Sequence, residues 1–419
     1  MTQDSNPTTS LGFHPCLSVV RFFPSLGQIR VWVISSSPEI GFRHTTRSMT
    51  YDLISRVPVW MLLSVYALIA LGMSAIAFAD QVVGESDFYT RQLFWAVVGT
   101  AAMITMATIH YKRWMPFSYL LFFMTLVLLV LVFFLPSKYG SQRWIPLGPM
   151  TLQPSEFAKI TYVMALAHYL IYDRSYRKLS GLIIPFVLTG IPVALILKEP
   201  DLGTSLLFIP VLFAMLFAAG ARWYHLLLLI VLGVMMIPVL WIGMNAEQKS
   251  RVTAVFTQKD SGTAPSGDGY HLHQSKRMLA VGGVWGVDLN NPEHEDKLEV
   301  HMPASRTDFI FCRIGQRYGL VGCLIMFCLY LALLGNAYRI AASTEEPFGR
   351  LLVVGIATLL ATQLTINVSM TVGLMPITGI TLPLVSYGGS SLLVTLASIG
   401  LIINVALRPT FDMLGQTFR

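Results

Sequence analysis

Ten windows of about 20 predominantly apolar residues take up most of this chain: 58–79, 93–109, 114–135, 155–172, 180–197, 202–219, 222–244, 309–338, 351–373 and 389–407. A bilayer core is about 30 Å thick, and a helix of that length crosses it. Inside lipid a segment must pair its own backbone polar groups, which leaves helices as the option for windows of this kind. The expected fold class is therefore an all-α polytopic integral membrane protein with about ten transmembrane helices. Composition agrees, since 54% of the 419 residues are hydrophobic and 12% charged, the balance of a polytopic membrane protein. The net charge of +7 reads as loop and head-group charge, and no nucleic-acid partner is expected.

The connecting segments alternate in charge. Arg47 and Arg56 precede the first window, Lys112 and Arg113 follow the second, and Arg174, Arg177 and Lys178 follow the fourth. Arg222 follows the sixth, Arg339 and Arg350 the eighth, and Arg408 closes the tenth, while Asp80, Glu85 and Asp87 lie on the opposite side. The positive-inside rule then puts both termini in the cytoplasm. Segments 136–154, 245–308 and 374–388 are expected outside, so that a long extracytoplasmic loop joins spans seven and eight.

Residues 1–48 carry Ser, Thr, Pro and scattered Arg around a short apolar patch, 17–23, too short to span. They are expected to be a disordered, dispensable cytoplasmic extension, with the functional chain starting near Met49 and a cytoplasmic tail at 409–419. Cys16, Cys312, Cys323 and Cys328 form no metal-type pair and no disulfide framework.

The polar stretch from Asn245 ends in Thr307-Asp308 at the lip of an apolar window. A carboxylate there is expensive in lipid and should face a wet cavity. Two readings stand: a general base with partly desolvated carboxylate, or a helix N-cap. Glu156 and Lys159 are three apart on one helix face, either as a local ion pair or as a charged pair lining a cavity; Ser155 is the expected cap of that helix. Arg143 beside Trp144 suits a pyrophosphate contact or interfacial snorkelling. Asp201, after Glu199-Pro200, reads first as turn and cap. From Gly373 to Ser391, Pro and Gly punctuate apolar sequence, which predicts a re-entrant cavity wall. Ser386 and Ser390 there either donate to substrate or tie the backbone. Arg306 adds a cation beside Asp308. All these motifs fall on the outer side.

Together, Gly140-Ser141-Gln142-Arg143-Trp144-Ile145, Gln153-Pro154-Ser155-Glu156-Phe157-Ala158-Lys159, Pro200-Asp201-Leu202-Gly203-Thr204, Gln274-Ser275, Thr307-Asp308-Phe309-Ile310-Phe311 and Pro376-Ile377-Thr378-Gly379 with Ser386-Tyr387-Gly388-Gly389-Ser390-Ser391 resemble the SEDS family of peptidoglycan polymerases (RodA, FtsW and SpoVE), over residues from about Met49 to Arg408. Leu382-Pro383-Leu384-Val385 and the short approach to the first window look closer to RodA. The resemblance implies ten transmembrane helices in a domain spanning 49–408. It implies a glycosyltransferase that polymerises lipid II on the outer face during elongation, with Asp308 as the catalytic aspartate and Glu156 and Lys159 as a functional pair. It further implies a divalent cation, Mg or Mn, although the chain shows no ligand cluster, and a single-span class B penicillin-binding protein as transpeptidase partner. Arg143, Lys159 or Arg306 would stabilise the departing charge.

The chain departs from the family pattern in three places: Arg306 where His is usual, Gly315-Gln316-Arg317-Tyr318-Gly319 where an acidic segment is usual, and Lys198-Glu199 where Gln precedes Pro200. The competing expectations are a lipid II flippase, an FtsW-type division paralogue, or a scaffold that only recruits a transpeptidase.

Overall fold

A computed structural model describes residues 57–83, 87–135, 143–147, 150–173, 175–256, 268–288 and 304–408. The N-terminal extension and the C-terminal tail lie outside the described residues, as do Gly140, Ser141 and Gln142. The helices are α1 (Val59–Val83), α2 (Asp87–Thr108), α3 (Ser118–Val132), α4 (Pro154–Tyr172), α5 (Ile183–Lys198), α6 (Leu202–Ala219), α7 (Trp223–Met235), α8 (Ile237–Gly243), α9 (Ala246–Phe256), α10 (Asp268–Gly282), α11 (Ile310–Ser343), α12 (Pro347–Val372) and α13 (Gly389–Leu407).

Every apolar window holds helix, and the protein is an all-α integral membrane protein. Seven helical stretches among the described residues are long and apolar enough to cross a membrane: Val59–Val82, Tyr111–Val132, Leu179–Lys198, Leu202–Ala219, Ile310–Ser343, Pro347–Val372 and Gly389–Leu407. The other three windows differ for identifiable reasons. In 93–109 the helix begins earlier, at Asp87, and its first turns carry the exposed Asp87–Arg91 pair at 3.5 Å. In 155–172 the helix carries the charged pair Glu156–Lys159. In 222–244 the helix breaks at Met236, where Pro238 in the first turn of α8 cannot donate to the preceding turn.

The centre of the bundle is α12, which packs against α4, α6, α10, α11 and α13, while α13 lies along α2 and α11 along α1. Buried Ile, Leu, Val and Met side chains from these helices form one continuous core.

Two segments expected as loop carry structure. Segment 136–154 contains a short antiparallel hairpin, β1 (Ile145–Leu147) with β2 (Met150–Leu152), in the register Ile145 to Leu152. The polar stretch 245–308 contains α9 and α10. On α10, Leu272, Gln274, Ser275 and Met278 are buried, and the Ser275 hydroxyl reaches the Thr371 carbonyl at 2.9 Å. Part of the polar break, α10, is therefore a helix seated on α11 and α12.

Helix α11 is itself interrupted. Gly319 has φ 62° and ψ −158°, a conformation that suits glycine. Segment 283–287 lies against this break: Leu320 N donates to Gly283 O at 2.9 Å and Val287 N to Gln316 O at 2.9 Å.

Candidate active site

Asp308 sits one residue before the N-cap of α11. That cap is Phe309, and no side chain bonds the helix start there. The cap reading of Asp308 therefore falls, and its carboxylate is left for other work. Its backbone is held from two sides. The Asn367 side-chain amide on α12 donates to the Asp308 carbonyl at 2.8 Å and to the Ile380 carbonyl at 2.6 Å. The Ser386 hydroxyl donates to the Thr307 carbonyl at 2.5 Å and accepts from Leu382 N at 2.8 Å. Both bonds tie the segment before α11 to the irregular loop 373–388, which connects α12 to α13.

That loop lines the cavity, as the wall reading of its Pro and Gly pattern expects. Its approach to α6 leaves no room for a side chain at Gly203, where a Cβ would stand 2.4 Å from the Thr378 carbonyl. From α2, buried Gln92 donates to the Ser386 carbonyl at 3.1 Å and accepts from Gly388 N at 3.3 Å. Ser390, in the first turn of α13, donates to the Thr151 carbonyl at 3.0 Å and so anchors the hairpin.

These elements enclose a cavity of about 1030 Å³, lined among others by Arg91, Trp95, Arg143, Trp144, Asp201, Arg251, His271, Asp308 and Tyr387. The lining draws on α2, β2, α9, α10, the start of α6 and the loop 373–388, so Arg143, Asp201, Asp308 and Ser390 of the sequence motifs meet in one place. Burial pushes the Asp308 carboxyl up to about 6, and the Asp201 carboxylate adds to the rise. A hydrogen bond from Thr307 and the Arg143 and Arg251 guanidiniums pull the other way. A carboxylate poised there is ionised at neutral pH and still basic enough to accept a proton.

Arg143 donates from Nε to the Glu199 carbonyl at 2.8 Å and from its terminal nitrogen to the Pro200 carbonyl. Both bonds hold it over the α5–α6 turn, facing the cavity. Asp201 caps α6, accepting from Thr204 N at 3.0 Å and from Thr204 Oγ1 at 2.9 Å, as turn-and-cap predicts. Glu199 is fully buried, and neither carboxyl oxygen has a hydrogen-bond partner among the described residues. Burial first, then the Asp201 carboxylate, push it up to about 8 against the pull of Arg143, so it is chiefly neutral at pH 7.

The remaining candidates lie off the cavity lining. Lys159 and Glu156 form a buried pair at 2.8 Å. The cap of their helix is Gln153, with Pro154 in the first turn, so the expected cap, Ser155, sits inside the helix. Arg306 is paired with Asp80 at 2.8 Å and lies over the Phe88 ring at 4.4 Å. It ties Asp80 near the end of α1 and Phe88 in the first turn of α2 to the segment before α11, so its charge is already matched by a carboxylate. Ser386 binds backbone, as described. Arg251, His271, Asn367 and Gln92 were missed in the sequence. Arg251 and His271 lie within the polar break, whose pattern gave no sign that α9 and α10 fold over the cavity. The two amides look like ordinary polar residues of apolar windows until their backbone partners are seen.

Breaking the Glu156–Lys159 pair should be costly. Glu156→Leu or Lys159→Met alone strands a buried charge and is expected to destabilise by about 3–5 kcal/mol, read as a lower thermal midpoint in detergent. The double variant should recover most of that stability. A stable but inactive double variant assigns the pair to the reaction, whereas recovered activity makes it a structural pair.

Among the described residues no group of three or more His, Cys, Asp or Glu side chains could hold a metal ion. Asp201 and Asp308 share the cavity, but Asp201 is committed to capping α6 and two guanidiniums stand beside Asp308. This donor set does not fit a tightly held divalent cation.

A family model described as cell cycle protein, covering FtsW, RodA and SpoVE, matches residues 54–410. The chain belongs to the FtsW/RodA/SpoVE family. It is 34% identical over 377 residues to the probable peptidoglycan glycosyltransferase FtsW of Trichlorobacter lovleyi, covering 87% of this chain and 95% of that protein. It is 33% identical over 361 residues to the peptidoglycan glycosyltransferase MrdB of Escherichia coli K12, covering 85% and 94%. Among solved structures, a chain of a peptidoglycan synthase complex, described for its coordination of polymerization and crosslinking, superposes with a TM-score of 0.70 at 29% identity, covering 83% of this chain and 96% of that one. Relatives named FtsW and MrdB stand at nearly equal identity, so these likenesses give the family without the subtype.

Proposed function

We propose that this protein is a peptidoglycan glycosyltransferase that polymerises lipid II, with Asp308 as general base. The observation that carries this reading is a single cavity in which a raised carboxyl faces two guanidiniums, in a chain whose relatives are named for that activity. Asp308 takes the proton of the GlcNAc 4-hydroxyl of one lipid-linked disaccharide. The freed oxygen bonds to the MurNAc anomeric carbon of a second, the bond from that carbon to the undecaprenyl pyrophosphate breaks, and the pyrophosphate leaves with the electron pair. A single displacement inverts the anomeric centre. Arg143, fixed by the 199–200 carbonyls, stabilises the departing charge.

The cavity opens on the extracytoplasmic side in this reading, with both termini cytoplasmic. Leu382-Pro383-Leu384-Val385 favours the elongation, RodA-like role over division. The partner is a class B penicillin-binding protein, a reading supported by the likeness to a chain of a synthase complex that couples polymerization and crosslinking. Family resemblance alone suggests Mg or Mn, and the mechanism above uses neither. Purified protein given lipid II should form glycan strands. Movement of labelled lipid II across a vesicle without strand formation would instead make the protein a flippase.

The base assignment fixes the acid limb of the rate. Asp308 works when deprotonated, so turnover should rise with pH through about 6 and flatten above it. A pH profile of kcat on lipid II checks this.

A further inference from the structure

Helix α1 begins at Val59, and Asp80 near its other end meets Arg306 beside the Asp308 segment. The first turns of α1 therefore lie at the end of the bundle away from Asp308, and the last turns of α11 lie there with them. Between the two helices at that end is a groove of about 560 Å³, lined by Ser64 and Ala67 of α1 and by Ala332 and Gly335 of α11. Side chains this small leave the gap unfilled, and a Cβ built on Gly335 would meet nothing within 4 Å. The groove opens outward. Trp60 at its lip is 74% exposed, and Leu63 and Leu331 beside it are exposed as well.

The groove ends in a cation. Arg339 lines it one turn beyond Gly335, and its guanidinium donates to the Asn336 amide oxygen at a long 3.4 Å. Asn336 gives its own N–H to the Ala332 carbonyl at 2.7 Å. The lining holds no acidic side chain, and no carboxylate pairs with Arg339 among the described residues. A guanidinium has five N–H donors, so most of those on Arg339 are left for a ligand.

We propose that this groove binds one anionic phospholipid, with an acyl chain along the small residues between α1 and α11 and the phosphodiester on Arg339. Trp60 then sits at head-group level, where amphipathic rings anchor a membrane protein. Arg339 shares its end of the bundle with the basic loops that the positive-inside rule gives to the cytoplasm. Basic pockets between transmembrane helices on that side suit anionic head groups. A transmembrane helix laid in the groove would press apolar side chains on an unmatched guanidinium. A phosphodiester instead offers two oxygens sharing one negative charge, the geometry a guanidinium takes. At the catalytic end α1 is already joined to α11 and the segment before it, through Asp80–Arg306 and the bond from Arg317 to the Ser74 carbonyl at 2.6 Å. A lipid filling the other end fixes the pair along its length. The site asks nothing of the reaction at Asp308.

Native mass spectrometry of the purified full chain, titrated with phosphatidylglycerol or phosphatidylcholine, reads the first lipid retained. Phosphatidylglycerol should bind about fivefold more tightly, the worth of one basic residue against an anionic head group. Arg339→Gln should erase that preference and leave phosphatidylcholine binding unchanged, while Arg339→Lys should keep most of it. Gly335→Leu fills the groove and raises helix propensity, so it should weaken both lipids without lowering the lipid-free thermal midpoint. Gly190→Leu, at another open glycine, on α5, should change neither lipid. A phosphatidylglycerol preference that survives Arg339→Gln overturns the proposal, as does unchanged retention in the Gly335→Leu protein. Tighter Arg339-dependent binding of undecaprenyl phosphate would give the site to a polyprenyl carrier instead, and loss of a dimer in the Gly335→Leu protein would give it to a second copy of the chain. Either result also overturns it.

Discussion

Asp308→Asn is expected to leave the protein folded and membrane-inserted while cutting strand formation from lipid II by roughly 10²–10⁴-fold, the usual worth of a general base. That is about 3–5 kcal/mol of barrier. The substitution is nearly isosteric and touches no helix cap, because the start of α11 has Phe309 at its N-cap and uses no side chain. It also removes a buried carboxyl whose ionisation is opposed by burial and by Asp201, so stability should hold or rise slightly. Thermal unfolding in detergent and a strand assay on the same preparation separate the two effects. Full activity in the purified Asp308→Asn protein would refute the base assignment.

The second large effect belongs to a residue that does no chemistry. Asn367→Leu keeps the volume but strands the carbonyls of Asp308 and Ile380, both now served by one buried amide. Each buried carbonyl left unpaired costs about 1–3 kcal/mol, so a clear drop in thermal midpoint is expected. The greater loss should be in kcat. The Asn367 amide is one of the bonds fixing where the Asp308 backbone sits, and misplacement of a reacting group by about 1 Å can cost about 10²-fold. KM should move little, because Asn367 does not line the cavity. Thr365→Val, an exposed change two residues away on the same helix whose hydroxyl bonds the Ala361 carbonyl, should alter neither quantity. Equal losses in the two variants would deny Asn367 its positioning role.

The membrane windows were legible because apolar runs of that length have so few folded solutions in lipid. The irregular cavity wall was legible too, since Pro376, Gly379, Pro383 and Gly388 forbid regular helix in apolar sequence. Glu156 and Lys159 pair as their spacing requires. The polar break was not legible: α10 carries Leu272 and Met278 on one side and Lys276 and Arg277 on the other, in a stretch too short and too charged to declare its partner. Arg306 shows the same limit from another direction. Proximity in sequence to Asp308 suggested a role at the reaction centre, but its charge is taken by Asp80, more than two hundred positions away. Which carboxylate neutralises which cation is a property of tertiary packing, and local pattern carries no record of it.

The break in α11 bears on how the chain is built into its membrane. A span released into lipid normally arrives with its hydrogen bonding complete. This one cannot, because Gln316 O and Leu320 N find their partners in segment 283–287, which is translated earlier. The earlier segment gains these partners when the later span is present, and the hydrogen bonding of the span is complete when that segment docks. The last stage of assembly therefore joins two parts that mature together, and it is the same stage that brings α10 and its cavity-facing residues over Asp308.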